Sequence, residues 1–143
     1  MHDEIEIEAS LEKVWQAFID LTCWADWNSV LTDVSPGPAG CIEEGGKFTC
    51  CVRPLGFPVF FEAKIEEVEI MKRVVWTGAR HMVKGRNEWV FDVRDGRIIV
   101  ASQEVLTGLP VLFGGLFFPV AKFRRLKESL LADLKKYAEG GHA

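Results

Sequence analysis

Glu104 is the carboxylate best placed for chemistry in this chain. It stands in the run Ala101-Ser-Gln-Glu-Val-Leu-Thr107, just before the Gly108-Leu109-Pro110 break. Turned inward, it would lose hydration, its pKa would rise, and it could donate a proton near neutral pH. Residues 102, 104 and 106 share one face of that run and 101, 103 and 105 the other. The pattern leaves open which face is inner. His81 and Arg80 are the other candidates. An imidazole is a usable acid or base near pH 7, although His81 sits in the turn Gly78-Ala-Arg-His-Met82, and turns are usually solvated. Arg80 can hold a carboxylate or an enolate. Asn87 shares a face with Trp89 and Phe91, so it reads as a buried polar group that orients a ligand or satisfies backbone.

Other chemistries find little support. Cys23, Cys41, Cys50 and Cys51 fit no zinc spacing, and no histidine pair supplements them. They read as small apolar residues, so neither a metal nor a cofactor is expected. His2 and His142 are terminal. The net charge of -4 argues against nucleic acid as a partner. No 18-residue apolar run appears, so no stable membrane insertion is expected. The opening MHDEIEIEAS lacks the marks of a signal peptide, and a cytoplasmic location is expected. At 143 residues the chain is expected to form a single domain over 1–143.

The elements that must position these groups follow from periodicity. Asp3-Glu-Ile-Glu-Ile-Glu8 alternates as a half-buried strand. Ser10 caps a helix whose Leu11, Val14, Trp15 and Phe18 fall on one face. Asp20 and Thr22 can start a second short helix carrying Trp24 and Trp27. Strands are predicted near 40–43, 47–53 and 59–70, with a bulge at Glu66-Glu67 before Val68 and Ile70. Further strands run through Val74–Gly78, through 87–93 with Trp89, Phe91 and Val93 inside, and from Ile98 to about Thr107. Asp95-Gly96 is a hairpin signal.

The last third is a long helical stretch reaching about Tyr137. Its apolar side carries Phe113, Leu116, Phe117, Val120, Phe123, Leu130, Leu134 and Tyr137. Lys122, Arg124, Arg125, Lys127, Glu128, Asp133, Lys135 and Lys136 fill much of the rest. Pro119 must kink this helix or restart it. One long helix after an antiparallel meander has to lie across the sheet, and a curved sheet leaves room for a cavity beneath it. Trp24, Trp27, Phe113 and Phe117 lie where such a cavity would open, and Phe61, Trp76, Asn87, Trp89 and Phe91 complete the expected ligand-binding set. The run 109–120 is apolar on every side, a candidate lip, dimer contact or site of transient membrane contact.

The order strand, two short helices, six strands, long helix resembles the helix-grip fold of the START-like superfamily, in the polyketide cyclase/dehydrase-type branch often labelled SRPBCC. IEIEASLEKVWQAFIDLTCWADW is similar to that branch's opening strand, helix and tryptophan-bearing turn. Trp76-Thr77-Gly78 resembles its "hWxG" strand end, and Glu104-Val-Leu-Thr-Gly108 its "E-x-x-x-G" junction. The branch's usual His-x-Phe strand reads Asn87-Glu88-Trp89 here, so no role of that histidine carries over. The resemblance implies an α+β fold: a seven-stranded antiparallel curved sheet wrapped around a long C-terminal helix, with two short helices after the first strand.

The function expected is binding of a small hydrophobic ligand, such as a lipid or polyketide, between sheet and helix. Two alternatives remain: a polyketide cyclase/dehydrase-like enzyme using Glu104, His81 or Arg80, and an interaction domain presenting the 109–120 surface. Monomer and homodimer are both compatible with the sequence. A convergent acid/base pair beside the void would favour chemistry, and a dry void would favour storage or transport.

Overall fold

The computed structural model describes residues 2–53, 58–80, 83–107 and 120–140. Strand β1 (His2–Ile7) is followed by helix α1 (Leu11–Ile19), a 3-10 turn (Leu21–Cys23) and helix α2 (Trp24–Trp27). Strands β2 (Thr32–Ser35), β3 (Lys47–Val52), β4 (Val59–Glu69), β5 (Arg73–Arg80), β6 (Val83–Arg94) and β7 (Arg97–Thr107) come next. Helix α3 (Val120–Ala138) completes the order. The strands form one seven-stranded sheet, β1-β7-β6-β5-β4-β3-β2, and every pairing is antiparallel. The sheet curves around α3 in the helix-grip arrangement.

Local chemistry accounts for the element boundaries. Ser10 Oγ accepts from Lys13 N at 3.1 Å and starts α1. Asp20 Oδ1 accepts from Thr22 N at 3.0 Å and redirects the chain into the 3-10 turn. Asp95 (φ 52°) and Gly96 (φ 77°) both occupy the left-handed region, the geometry a two-residue hairpin needs. The register between β4 and β5 slips between Ile65 and Glu67, at the Glu66-Glu67 bulge. Gly78 lets β4 and β5 lie close: a Cβ there would meet Glu62 O at 3.2 Å.

Three local expectations fail. No strand forms at 40–43, where Cys41 makes only an isolated bridge to Asp20. The edge strand is instead Thr32–Ser35, whose polar residues and positive-φ Asp33 hide any alternation. Val93 is exposed rather than inward, and Ile70 is exposed too. Both stand beside hairpin turns, where the alternation outlasts the layer that covers the sheet.

The core is aromatic. Phe18 on α1 packs its ring against Trp24, Trp76, Trp89 and Phe91, with centroids 4.9 to 5.9 Å apart. Leu130, Leu131, Leu134 and Ala138 bury one side of α3. Polar ties hold that helix in place. Lys135 Nζ donates to Glu6 O at 2.7 Å, and Glu139 accepts from Glu8 N at 2.7 Å. Asp133 accepts from Ser29 N and Ser29 Oγ at 3.0 and 2.7 Å, fixing the turn after α2.

Candidate functional site

Strands β6 and β7 set the inner wall. Their register pairs Asn87 with Glu104, Trp89 with Ser102 and Phe91 with Val100. Trp89, Phe91, Val100 and Ser102 are buried, whereas Gln103 and Val105 are exposed. Pleating therefore turns Glu104 inward beside Asn87. Helix α3 crosses this wall and places Leu126, Lys127 and Leu130 over it.

Between them lies a cavity of about 70 Å³. Val30, Leu31, Val52, Phe61, Trp76, Trp89, Leu126 and Leu130 give it apolar walls, and Asn87, Glu104 and Lys127 are its polar members. The volume is small against the roughly 300 Å³ or more of ordinary ligand pockets. Leu31, Phe61 and Leu126 are only partly buried, and they are the walls able to yield.

Lys127 is the unusual group. Its residue is 8% exposed, and its side chain lies on the inner side of α3. Nζ donates to Asn87 Oδ1 at 2.7 Å and to Ser102 Oγ at 2.9 Å, and it stands 4.8 Å from the centre of the Trp89 ring. Burial pushes the ammonium below its usual range, while the fields of Glu104 and Asp3 pull the other way. Both hydrogen-bond acceptors are uncharged. The site thus combines a carboxylate, an amine and an amide against two indoles, Trp76 and Trp89, tilted 37° to each other with centroids 5.7 Å apart.

Of the expected ligand-binding residues, Phe61, Trp76, Asn87 and Trp89 line this cavity. Trp24, Trp27 and Phe91 belong to other packing. Trp24 Nε1 donates to Phe18 O at 2.8 Å and Trp27 Nε1 to Ala17 O at 3.2 Å, which draws both indoles into the α1–α2 core. Phe91 is held between Trp15 and Phe18. Phe113, Phe117 and His81 lie outside the described residues, and so does the side chain of Arg80, which ends β5. Glu104 lines the cavity.

Charge alone puts Lys127 on the polar side of the helix, whereas the structure buries it. A signal for it exists: residue 127 precedes Leu130, Leu131 and Leu134 by three, four and seven positions, the spacing of one helical face. Cys50 and Cys51 are buried, and Cys23 and Cys41 are partly so. All four are free, and burial pushes the Cys50 thiol up to about 12, which keeps it protonated and inert. Among the described residues, no group of three or more metal-ligating side chains is assembled, and no helix is long and apolar enough to cross a membrane.

Known proteins share this architecture. A hypothetical protein of Helicobacter pylori superposes with a TM-score of 0.79 at 20% identity, over 96% of this chain and 86% of that one. A START superfamily protein of Mycobacterium smegmatis gives 0.68 at 14% identity, over 99% and 94%. The di-domain ARO/CYC protein BexL of the BE-7585A biosynthetic pathway gives 0.73 at 15% identity; the match takes in 94% of this chain but only 44% of BexL. At these identities the likeness is one of fold. No curated protein matches the chain. The family profile described as polyketide cyclase / dehydrase and lipid transport matches residues 1–139. Matched along almost its whole length and built as a helix-grip sheet, the chain belongs to that polyketide cyclase / dehydrase and lipid transport family.

Proposed function

We propose that this chain binds a small, largely apolar ligand bearing one polar group, seated between the sheet and α3. The apolar part lies against Trp76, Trp89, Phe61 and Leu130. The polar group meets Lys127, Asn87 and Glu104. The observation that carries this reading is the convergence of those three side chains on one side of an otherwise apolar cavity. Apolar burial supplies the affinity, at roughly 25 cal/mol per Å² removed from water, and the polar cluster supplies orientation. A ligand larger than the present void enters by displacing Leu31, Phe61 and Leu126.

A second reading is a cyclase/dehydrase-like enzyme. The specific observation in its favour is that Glu104 and Lys127 border the same void, an acid/base pair next to a place for substrate. The two readings share their site and differ only in turnover.

Titration with 8-anilinonaphthalene-1-sulfonate tests the shared part. Saturable one-to-one binding is expected, with quenching of tryptophan fluorescence. Leu31→Trp fills the cavity from a partly exposed wall and should weaken binding about tenfold or more while the far-ultraviolet dichroism stays native. Undiminished binding by that folded variant would place the probe elsewhere and overturn the reading.

A further inference from the structure

We propose that Lys127 is a nucleophile that condenses with the carbonyl of an aldehyde or ketone ligand, holding it in the cavity as an imine. This inference rests on the ligand-binding reading above and gives that ligand a chemical class.

Lys127 Nζ has three positions besides its bond to carbon. Two are directed by hydrogen bonds, to Asn87 Oδ1 at 2.7 Å and Ser102 Oγ at 2.9 Å. A neutral amine has two N–H donors and one lone pair. Two uncharged acceptors therefore satisfy the neutral form completely and orient its lone pair away from both strands. The Trp89 ring, its centroid 4.8 Å from Nζ, is itself a cavity wall. A lysine serving only to pair charge would have a carboxylate as its hydrogen-bond partner; Lys127 has an amide and a hydroxyl instead. Burial disfavours the ammonium and outweighs the opposing fields of Glu104 and Asp3. Glu104 borders the same cavity and supplies a carboxylate for proton relay.

The step balances without a further reactant. The nitrogen lone pair attacks the carbonyl carbon, and the carbonyl π pair moves to oxygen, which takes a proton. The carbinolamine then forms its C=N bond as the C–O bond breaks. Both amine protons leave with the oxygen as water. No oxidation or reduction occurs. The apolar walls favour the imine by limiting access of the water that would hydrolyse it.

Reductive trapping tests this directly. The full chain is incubated at neutral pH with benzaldehyde and sodium cyanoborohydride, and modified lysines are located by peptide mass mapping. Lys127 should be labelled about tenfold faster than any surface lysine, whose amines are mostly protonated at that pH. Lys127→Met should lose that adduct while its far-ultraviolet dichroism stays native, and Lys127→Arg should lose it likewise if the methionine variant folds poorly. Labelling spread evenly over exposed lysines, with the naphthalene probe still bound, would overturn the imine and leave the cavity reading standing. Absence of probe binding by the wild-type chain would overturn both.

Discussion

Lys127 Nζ donates to Asn87 Oδ1 at 2.7 Å, joining the inner face of α3 to the middle of β6 across 40 residues of sequence. The bond places a charge-capable nitrogen on the buried face of α3, in line with Leu130 and Leu134. A buried ammonium loses hydration worth several kcal/mol, and a bond to a neutral amide returns only about 1.5–3 kcal/mol. As an ammonium, the group is held at a net cost to stability.

That cost has a pH signature. The folded-state pKa of Lys127 is lowered by burial from its usual 10.5. Between the lowered value and 10.5 the unfolded chain binds the extra proton, so stability rises with pH across that window. Below the window the full penalty applies, and above it none does. Urea midpoints of wild type and Lys127→Met over a pH series isolate the effect. The wild-type slope should exceed the variant's there; parallel curves would show that Lys127 titrates normally.

Ser102 and Ser29 make a second comparison. Ser102 is 1% exposed and accepts from Lys127, whereas Ser29 is exposed and donates to Asp133. Ser102→Ala should cost about 1–3 kcal/mol, because it leaves a buried donor short of a partner. Ser29→Ala should cost under about 1 kcal/mol, since water replaces the lost bond. Equal losses in chemical denaturation would mean the Lys127–Ser102 bond is not formed in solution.

Two phenylalanines separate core from site. Phe18 touches four aromatic rings and is 1% exposed, so Phe18→Ala should lose about 3–5 kcal/mol. Phe61 is partly buried and lines the cavity. Phe61→Ala should lose less stability, about 1–2 kcal/mol, and change probe affinity about tenfold. The reverse ranking would move the ligand into the α1 core.

Much of the fold was legible because its signals are local. Alternation in β1, the Asp95-Gly96 turn, the Glu66-Glu67 bulge and the Ser10 cap each depend on a few neighbouring residues. The short β2 was not, because a four-residue edge strand of Thr, Asp, Val and Ser has too little pattern to read. The site was half legible. Trp89, Asn87 and Phe61 followed from strand parity, but the inward turn of Glu104 needed the β6–β7 register that pairs it with Asn87. Lys127 was passed over because charge outweighed position: its spacing to Leu130 and Leu134 marks the inner face. Trp24 and Trp27 were drawn inward by hydrogen bonds from their indole nitrogens to α1 carbonyls, contacts that no spacing rule reveals.

The five tryptophans report directly on an apolar ligand seated between Trp76, Trp89 and α3. Each indole N–H gives its own resonance in a proton–nitrogen correlation spectrum. Trp24 and Trp27 are bonded to Phe18 O and Ala17 O, while Trp89 Nε1 is buried without a partner among the described residues. Titration with 2-naphthol should shift the Trp76 and Trp89 signals along one saturable curve and leave those of Trp24 and Trp27 in place. Saturable shifts at Trp24 and Trp27 with Trp76 and Trp89 unmoved would contradict the account.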